Sequence, residues 1–99
     1  MDPAALIAIE HDATGRRFIA RIDGKEAYLE YRPVRTGVVD YVTTYTPPAL
    51  RERHIASTIV RHALDHARDR ELKVIPSCWF VAGYIERHRE YEKLLTGTD

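Results

Sequence analysis

Two places in the sequence carry residues whose types and spacing are suited to chemistry. Arg51 and Arg53 lie in a short stretch, residues 50–56, at the start of the most regular helical pattern in the chain. Cys78, the single cysteine, follows an apolar run that stops at Pro76. Guanidinium groups beside the free N–H groups of a helix start favour an anion such as phosphate. Since a cysteine thiolate is a strong nucleophile, the two places together predict anion binding near a reactive sulfur.

Each feature also has an ordinary structural explanation. Residues 51–53 are typical of a solvated first helical turn, and spacing alone favours that interpretation because runs of mixed charge usually face water. Chemistry alone likewise favours Cys78 as a small buried apolar residue. His62 and His66 are four residues apart, as in a metal pair, but both lie opposite the apolar stripe of the helix. We therefore expect solvent-exposed histidines and no metal.

The elements that must position these residues follow from hydrophobic periodicity. Strands are predicted over residues 6–9, 17–22, 27–31 (ended by Pro33), 38–45 and 72–75, with a type I′ turn at Asp23 and Gly24. Helical segments are predicted over residues 55–70, 80–88 and 90–95. The result is an α/β (α+β) domain: an antiparallel meander of about four strands, a βαβ unit with parallel strands, and C-terminal helices. In a βαβ unit the crossover helix starts where the strands end, so Cys78 should lie near that start.

Composition limits the classes of protein that fit. A chain of 99 residues allows a single domain, over residues 1–99. Fifteen Lys and Arg balance fifteen Asp and Glu, which argues against nucleic acid or an anionic membrane as a partner. One cysteine forms no internal disulfide, and we find neither a membrane-length apolar stretch nor the basic flank of a signal peptide. We therefore expect a cytoplasmic protein.

Three segments together resemble the small, single-domain branch of the GNAT acetyltransferase superfamily. They are residues 47–57 (PPALRERHIAS), 73–81 (KVIPSCWFV) and 84–91 (YIERHREY). The resemblance covers about residues 38–95, and the upstream hairpins fit the same fold in type. It implies a GNAT-like mixed sheet, acetyl-CoA as the acyl donor, and a primary amine, on a small molecule or a protein, as the acceptor.

The resemblance also implies roles for particular residues. In the family, the loop and helix start hold the CoA pyrophosphate through backbone N–H groups. The corresponding positions are Arg51, Glu52, Arg53, His54, Ile55 and Ala56. The strand edge that lines the pantetheine and acetyl end corresponds to Thr43, Thr44 and Tyr45. Cys78 matches the cysteine implied to be catalytic in this branch, either as a transient acyl carrier or as a group beside the transferred acetyl.

The sequence departs from the family pattern at two places. Family loops usually carry glycine where Glu52 and His54 stand, and glycine lets backbone approach phosphate without a Cβ in the way. Residues 43–47 read TTYTP in place of the usual His-Thr-Glu-Val-Pro, so both the His and the Glu are replaced. With that His absent, water, the Cys78 thiolate and His54 remain as bases for the proton of the acceptor ammonium.

Two functions are compatible with this pattern. The first is an acetyl-CoA-dependent N-acetyltransferase that moves an acetyl group to an amine. The alternative, favoured by the replaced residues, is a GNAT fold that binds CoA or a protein partner without turnover. An exposed strand edge on a small domain is also consistent with a homodimer.

Overall fold

The computed structural model describes residues 7–51 and 54–96. It contains a five-stranded sheet and two α-helices, with short 3₁₀ segments at Pro48–Leu50 and Arg89–Leu94. The strands are β1 (Glu10–Asp12), β2 (Arg17–Ile22), β3 (Lys25–Arg35), β4 (Val38–Tyr45) and β5 (Lys73–Ile75), and the helices are α1 (Ile55–Asp69) and α2 (Trp79–Arg87). The mixed α/β class predicted from the sequence is confirmed.

The strands lie across the sheet in chain order. β1 to β4 pair antiparallel, whereas β4 and β5 run parallel because α1 connects them. Asp23 and Gly24 join β2 to β3 with φ angles of 54° and 75°. Two consecutive left-handed residues are what a type I′ hairpin turn requires. The predicted meander, turn and parallel pair are therefore confirmed.

The predicted first strand, residues 6–9, is displaced in the structure. β1 covers Glu10–Asp12 instead and pairs Glu10 with Ile19 of β2. Ile7 and Ile9 are half-buried against the core but precede the ladder, and Leu6 lies outside the described residues. The apolar run indicates which residues pack, but the position of the strand depends on its register with β2.

β3 runs past Pro33, where the sequence predicts its end. Pro33 lies opposite Val39 of β4, next to an irregularity in the register. β2 pairs with β3 only as far as Glu30. At Pro33 the strand is therefore at an edge of the sheet, where proline is tolerated because its missing N–H breaks no ladder bond on that side.

One face of the sheet carries the main hydrophobic core, and both helices pack on it. The core includes Phe18 and Leu29 of the sheet, Ile59 and Leu64 of α1, and Val81 of α2, each at most 1% exposed. Tyr41 of β4 donates a hydrogen bond to the Ala63 carbonyl of α1 at 2.5 Å. The predicted helix over residues 55–70 is confirmed to within one residue.

The C-terminal segment ties α2 to α1. The Tyr91 hydroxyl donates to Oδ1 of Asp65 at 2.6 Å. The Tyr91 ring lies 6.2 Å from that of Tyr84 between centroids, and Tyr84 stacks on His88 at 4.0 Å. Burial, reinforced by the hydrogen bond to Asp65, raises the pKa of Tyr91, so this hydroxyl remains a donor. The segment that follows α2 is thus attached to the second half of α1.

Candidate functional site

β4 and β5 separate at the end of the sheet where both helices begin. Their parallel ladder covers residues 38–40 of β4, and one more hydrogen bond joins the Cys78 N–H to the Tyr41 carbonyl at 3.0 Å. Beyond that point the described residues place no strand on this side of β4. A register shift in the β3–β4 ladder also leaves Val42 unpaired. The last residues of β4 therefore present a free backbone edge to a gap.

α1 begins after a residue in the left-handed conformation. His54 has φ 58° and ψ 24°, and its side chain makes no capping hydrogen bond. The His54 carbonyl accepts hydrogen bonds from the backbone N–H of Thr58 at 3.1 Å and from its hydroxyl at 2.8 Å. The N–H groups of Ile55, Ala56 and Ser57 precede the first intrahelical donor. Helix geometry leaves these three available to an anion.

The described part of the preceding loop is anchored by Arg51. Its Nε donates to the Thr46 carbonyl at 3.0 Å, while the side chain stays exposed. The remaining guanidinium N–H groups can serve a ligand. Glu52 and Arg53, the other predicted loop residues, lie outside the described residues.

Cys78 lies beside the gap, directly before α2. It is a free cysteine, 6% exposed, and its Sγ lies 3.6 Å from Oγ1 of Thr44 on β4. It also belongs to the hydrophobic core cluster, as expected of a small buried apolar residue. The neighbouring Trp79 is 83% exposed. The sulfur therefore lies against the end of β4, in a mostly buried environment.

The three residues predicted on β4 do not share a face. Thr44 is half-buried beside Cys78 on the face that the helices cover. Thr43 and Tyr45 are exposed, and Tyr45 packs against Tyr28 with ring centroids 5.5 Å apart. Since side chains alternate along a strand, only the backbone edge is common to all three.

A cavity between α1 and α2 was not predicted from the sequence. It measures about 370 Å³ and is lined by His54, Ser57, Thr58, Arg61, Tyr84, Arg87 and His88. Periodicity assigns Arg61 to the water-facing side of α1, which is correct, but gives no sign that α2 packs alongside. The one available signal is the seven-residue spacing of His54 and Arg61, which places them on one helix face.

His66 is not solvent-exposed, contrary to the prediction. It is half-buried, with its ring 5.3 Å from Phe18 and 4.8 Å from His11 between centroids. The reason is that β1 places His11 against the side of α1. The position of His11 is fixed in turn by Tyr31 of β3, whose hydroxyl lies 2.6 Å from His11 Nε2. Burial lowers the pKa of both His11 and His66. His62 is exposed as predicted.

Two absences can be stated for residues 7–51 and 54–96. They contain no group of three or more His, Cys, Asp or Glu side chains arranged to hold a metal ion. Their helices also lack the length and apolar character needed to cross a membrane.

Comparison with known proteins agrees with this geometry. Residues 17–94 match the family described as GCN5-related N-acetyl-transferase. Protein NATD1 of Xenopus tropicalis is 34% identical over 90 residues, covering 89% of this chain and 83% of that protein. Protein NATD1 of Homo sapiens is 34% identical over 84 residues, covering 83% of this chain and 74% of that protein. The NMR structure of a GCN5-like protein from Staphylococcus aureus has a TM-score of 0.72 at 22% identity, covering 94% of this chain and 91% of that one. The resemblance noted in the sequence is confirmed, and the chain belongs to the GCN5-related N-acetyltransferase family.

Proposed function

We propose that this protein is an acetyl-CoA-dependent N-acetyltransferase. The observation that carries the proposal is the gap beside β4, which opens where α1 and α2 both begin and which contains Cys78 and Thr44 at its edge. Membership of the family supports the same assignment. The acceptor in this proposal is an amine on a small molecule or a protein, and the exposed Trp79 offers it an apolar surface.

The start of α1 is suited to the pyrophosphate of CoA. The free N–H groups of Ile55 and Ala56 point out of the helix end, where the macrodipole favours negative charge. Arg51 adds a permanent positive charge close by, and hydrogen bonds to charged groups contribute about 1.5–3 kcal/mol each. His54 already has the left-handed backbone that glycine adopts easily, so the turn keeps that conformation without the family glycine.

The free edge of β4 is suited to the pantetheine arm. An extended chain with amide groups can pair with a strand edge as an added strand does. Bound in this way, the arm would run along residues 42–45 and bring its thioester to the side chains of Thr44 and Cys78, whose Oγ1 and Sγ atoms are 3.6 Å apart.

Acetyl transfer forms a bond from the acceptor nitrogen to the acetyl carbonyl carbon and breaks the carbon–sulfur bond of the thioester. CoA leaves as a thiolate, which takes up the proton that the attacking amine loses on becoming an amide. An acceptor that arrives as ammonium must release one further proton before it attacks. Water, the Cys78 thiolate and His54 are the three bases available for that proton. In a covalent variant the Cys78 sulfur takes the acetyl group first, and the amine then displaces the sulfur.

Intact-protein mass spectrometry tests the covalent variant. We expect wild-type protein incubated with acetyl-CoA, without acceptor, to gain one acetyl group at Cys78, and the Cys78→Ala variant to gain none. Any acetyl group that the Cys78→Ala variant does gain would have to be on another side chain, such as a lysine. Free CoA thiol, measured against a panel of amines, reports turnover: release of thiol with no Cys78 adduct indicates direct transfer. Absence of thiol release with every amine would contradict the transferase assignment.

A CoA-binding or protein-interaction module without turnover is the second candidate function. The 6% exposure of Cys78 favours it, since a buried sulfur has little access to a thioester, as does the loss of the family His and Glu from residues 43–47. Thermal-shift titration separates the two functions, because a ligand at 100 times its Kd stabilises the fold by about 2.7 kcal/mol. A shift without acetyl consumption supports the CoA binder. No shift with millimolar acetyl-CoA or CoA contradicts every CoA-dependent function and supports protein interaction.

A further inference from the structure

We infer that the cavity between α1 and α2 binds the 3′-phosphate of CoA. The inference rests on the proposed function, because it takes the pyrophosphate to lie at the start of α1. Arg61 and Arg87 line this cavity, and the proposed acetyl transfer assigns no role to either side chain. The inference is that both bind this phosphate.

The lining of the cavity contains two guanidinium groups and no carboxylate. Arg61 contributes a guanidinium from α1 and Arg87 a second one from the last turn of α2. Neither forms a salt bridge with a carboxylate of the described residues, whereas Arg68 of α1 lies 3.1 Å from Asp65. Asp65, the acid nearest to Arg61 in sequence, is already engaged by Arg68 and by the Tyr91 hydroxyl. Glu86 and Glu90, the acids nearest to Arg87, are exposed and do not line the cavity. The two arginines are therefore available to a ligand anion.

The cavity also lies next to the pyrophosphate position. His54, the residue before α1, lines the cavity, and so does Ser57 of its first turn. Arg61 follows His54 by seven residues, about 10 Å along the helix axis, and helical side chains point back towards the N-terminus. In CoA a single ribose separates the 5′-pyrophosphate from the 3′-phosphate. A ligand held at the start of α1 can thus reach Arg61 with its second phosphate.

The remaining lining groups suit a phosphate dianion. Ser57 and Thr58 contribute hydroxyl groups, and the guanidinium forks of the two arginines match phosphate oxygens in geometry. His88 is held at the cavity wall by stacking on Tyr84, with centroids 4.0 Å apart and planes at 23°. A volume of about 370 Å³ accommodates the phosphate together with part of its nucleoside.

Dephospho-CoA, which lacks only the 3′-phosphate, provides the test. Isothermal titration calorimetry should show that wild-type protein binds CoA at least about tenfold more tightly than dephospho-CoA, as expected of charge-assisted hydrogen bonds from two arginines. In the double variant Arg61→Gln/Arg87→Gln, CoA should bind no more tightly than dephospho-CoA does. The affinity for dephospho-CoA itself should change little.

Arg70→Gln is the matched control, because it removes the same charge from an exposed residue at the opposite end of α1. It should retain the wild-type preference for CoA, and circular dichroism should show that every variant is folded. Equal affinity of wild-type protein for the two ligands would overturn the inference alone. Failure of both ligands to bind would overturn the proposed CoA site and the inference with it. Loss of the preference in Arg70→Gln to the same extent as in the double variant would also overturn the inference, since it would reflect overall charge.

Discussion

At the scale of single residues, His54 shows how a residue with a Cβ is held in a conformation that glycine adopts most easily. Its φ of 58° is in the left-handed region, which costs a residue with a Cβ about 1–2 kcal/mol relative to the right-handed form. Two hydrogen bonds from Thr58 to the His54 carbonyl hold it there. The left-handed conformation of His54 is thus supported by the first turn of α1.

A comparison of two substitutions at this position tests the argument. His54→Gly should be more stable to urea than His54→Ala by about 1 kcal/mol, because only the alanine retains a Cβ in the left-handed region. This order reverses the one expected inside a helix, where alanine is favoured over glycine. Equal stability of the two variants, or a more stable alanine, would show that the backbone at this position is not strained.

At the scale of elements, β1 and α1 are joined by the contact of the exposed His11 with the half-buried His66. His11 stacks on Phe18 with centroids 4.4 Å apart, and His66 approaches both rings edge-on. Burial lowers the pKa of each histidine below 6.5, and the charge of Arg70 acts in the same direction. Protonation of these side chains therefore opposes the packing of β1 against α1.

The stability of the protein should consequently fall in mild acid. An unfolded histidine titrates near 6.5, and these two titrate lower when folded, so between those values the unfolded chain binds more protons. The free energy of unfolding should be highest above about pH 7 and should decrease as the pH falls through 6.5. The decrease should end once the pH is below the pKa values of the two histidines in the folded protein. The variant His66→Phe keeps an aromatic ring at this position and removes one of the two titrating imidazoles.

Urea denaturation at several pH values measures this effect. His66→Phe should show a weaker loss of stability between about pH 7 and pH 5 than the wild type. His62→Gln, a substitution of the exposed histidine one turn earlier, removes only a lesser cause of the two lowered pKa values and should weaken the dependence less than His66→Phe does. An identical pH dependence for His66→Phe and wild type would contradict the assignment.

At the scale of the whole molecule, one core supports both the sheet and the site. The two helices pack on the same face, and the cluster that contains Cys78 also contains Leu64 and Tyr41. A domain of this size has a free energy of unfolding of roughly 5–10 kcal/mol. Damage anywhere in the core is therefore expected to affect the gap beside β4 as well.

Leu64→Ala tests the dependence on a single core. Leu64 is fully buried, so its truncation should lower the free energy of unfolding by about 2.7–5 kcal/mol, a large part of the total. The control is Leu95→Ala, at a residue that is 39% exposed, which should cost less than about 1 kcal/mol. Urea denaturation followed by circular dichroism measures both. A small loss in Leu64→Ala would indicate that the core adapts around the truncated side chain.

The structural features that could be predicted from the sequence are those set by residues close together along the chain. The apolar spacing of α1 and the pair Asp23–Gly24 specify local structure, and both predictions are confirmed. The limits of β1 and the passage of β3 through Pro33 were wrong, because strand limits depend on a partner strand. Thr44 and Cys78 are in contact at the edge of the gap, while the role of Thr44 in CoA binding and that of Cys78 in catalysis stay predictions.

The amino-acid sequence by itself determined the order of strands and helices, the βαβ unit and the family. These features follow from hydrophobic periodicity and short motifs, which involve residues close together along the chain. The tertiary structure alone decided that Arg61 and Arg87 share a cavity, that His66 is packed against β1, and that Thr43 and Tyr45 face away from the sulfur. Such contacts join residues far apart in sequence, and they exist only once two elements have packed face to face.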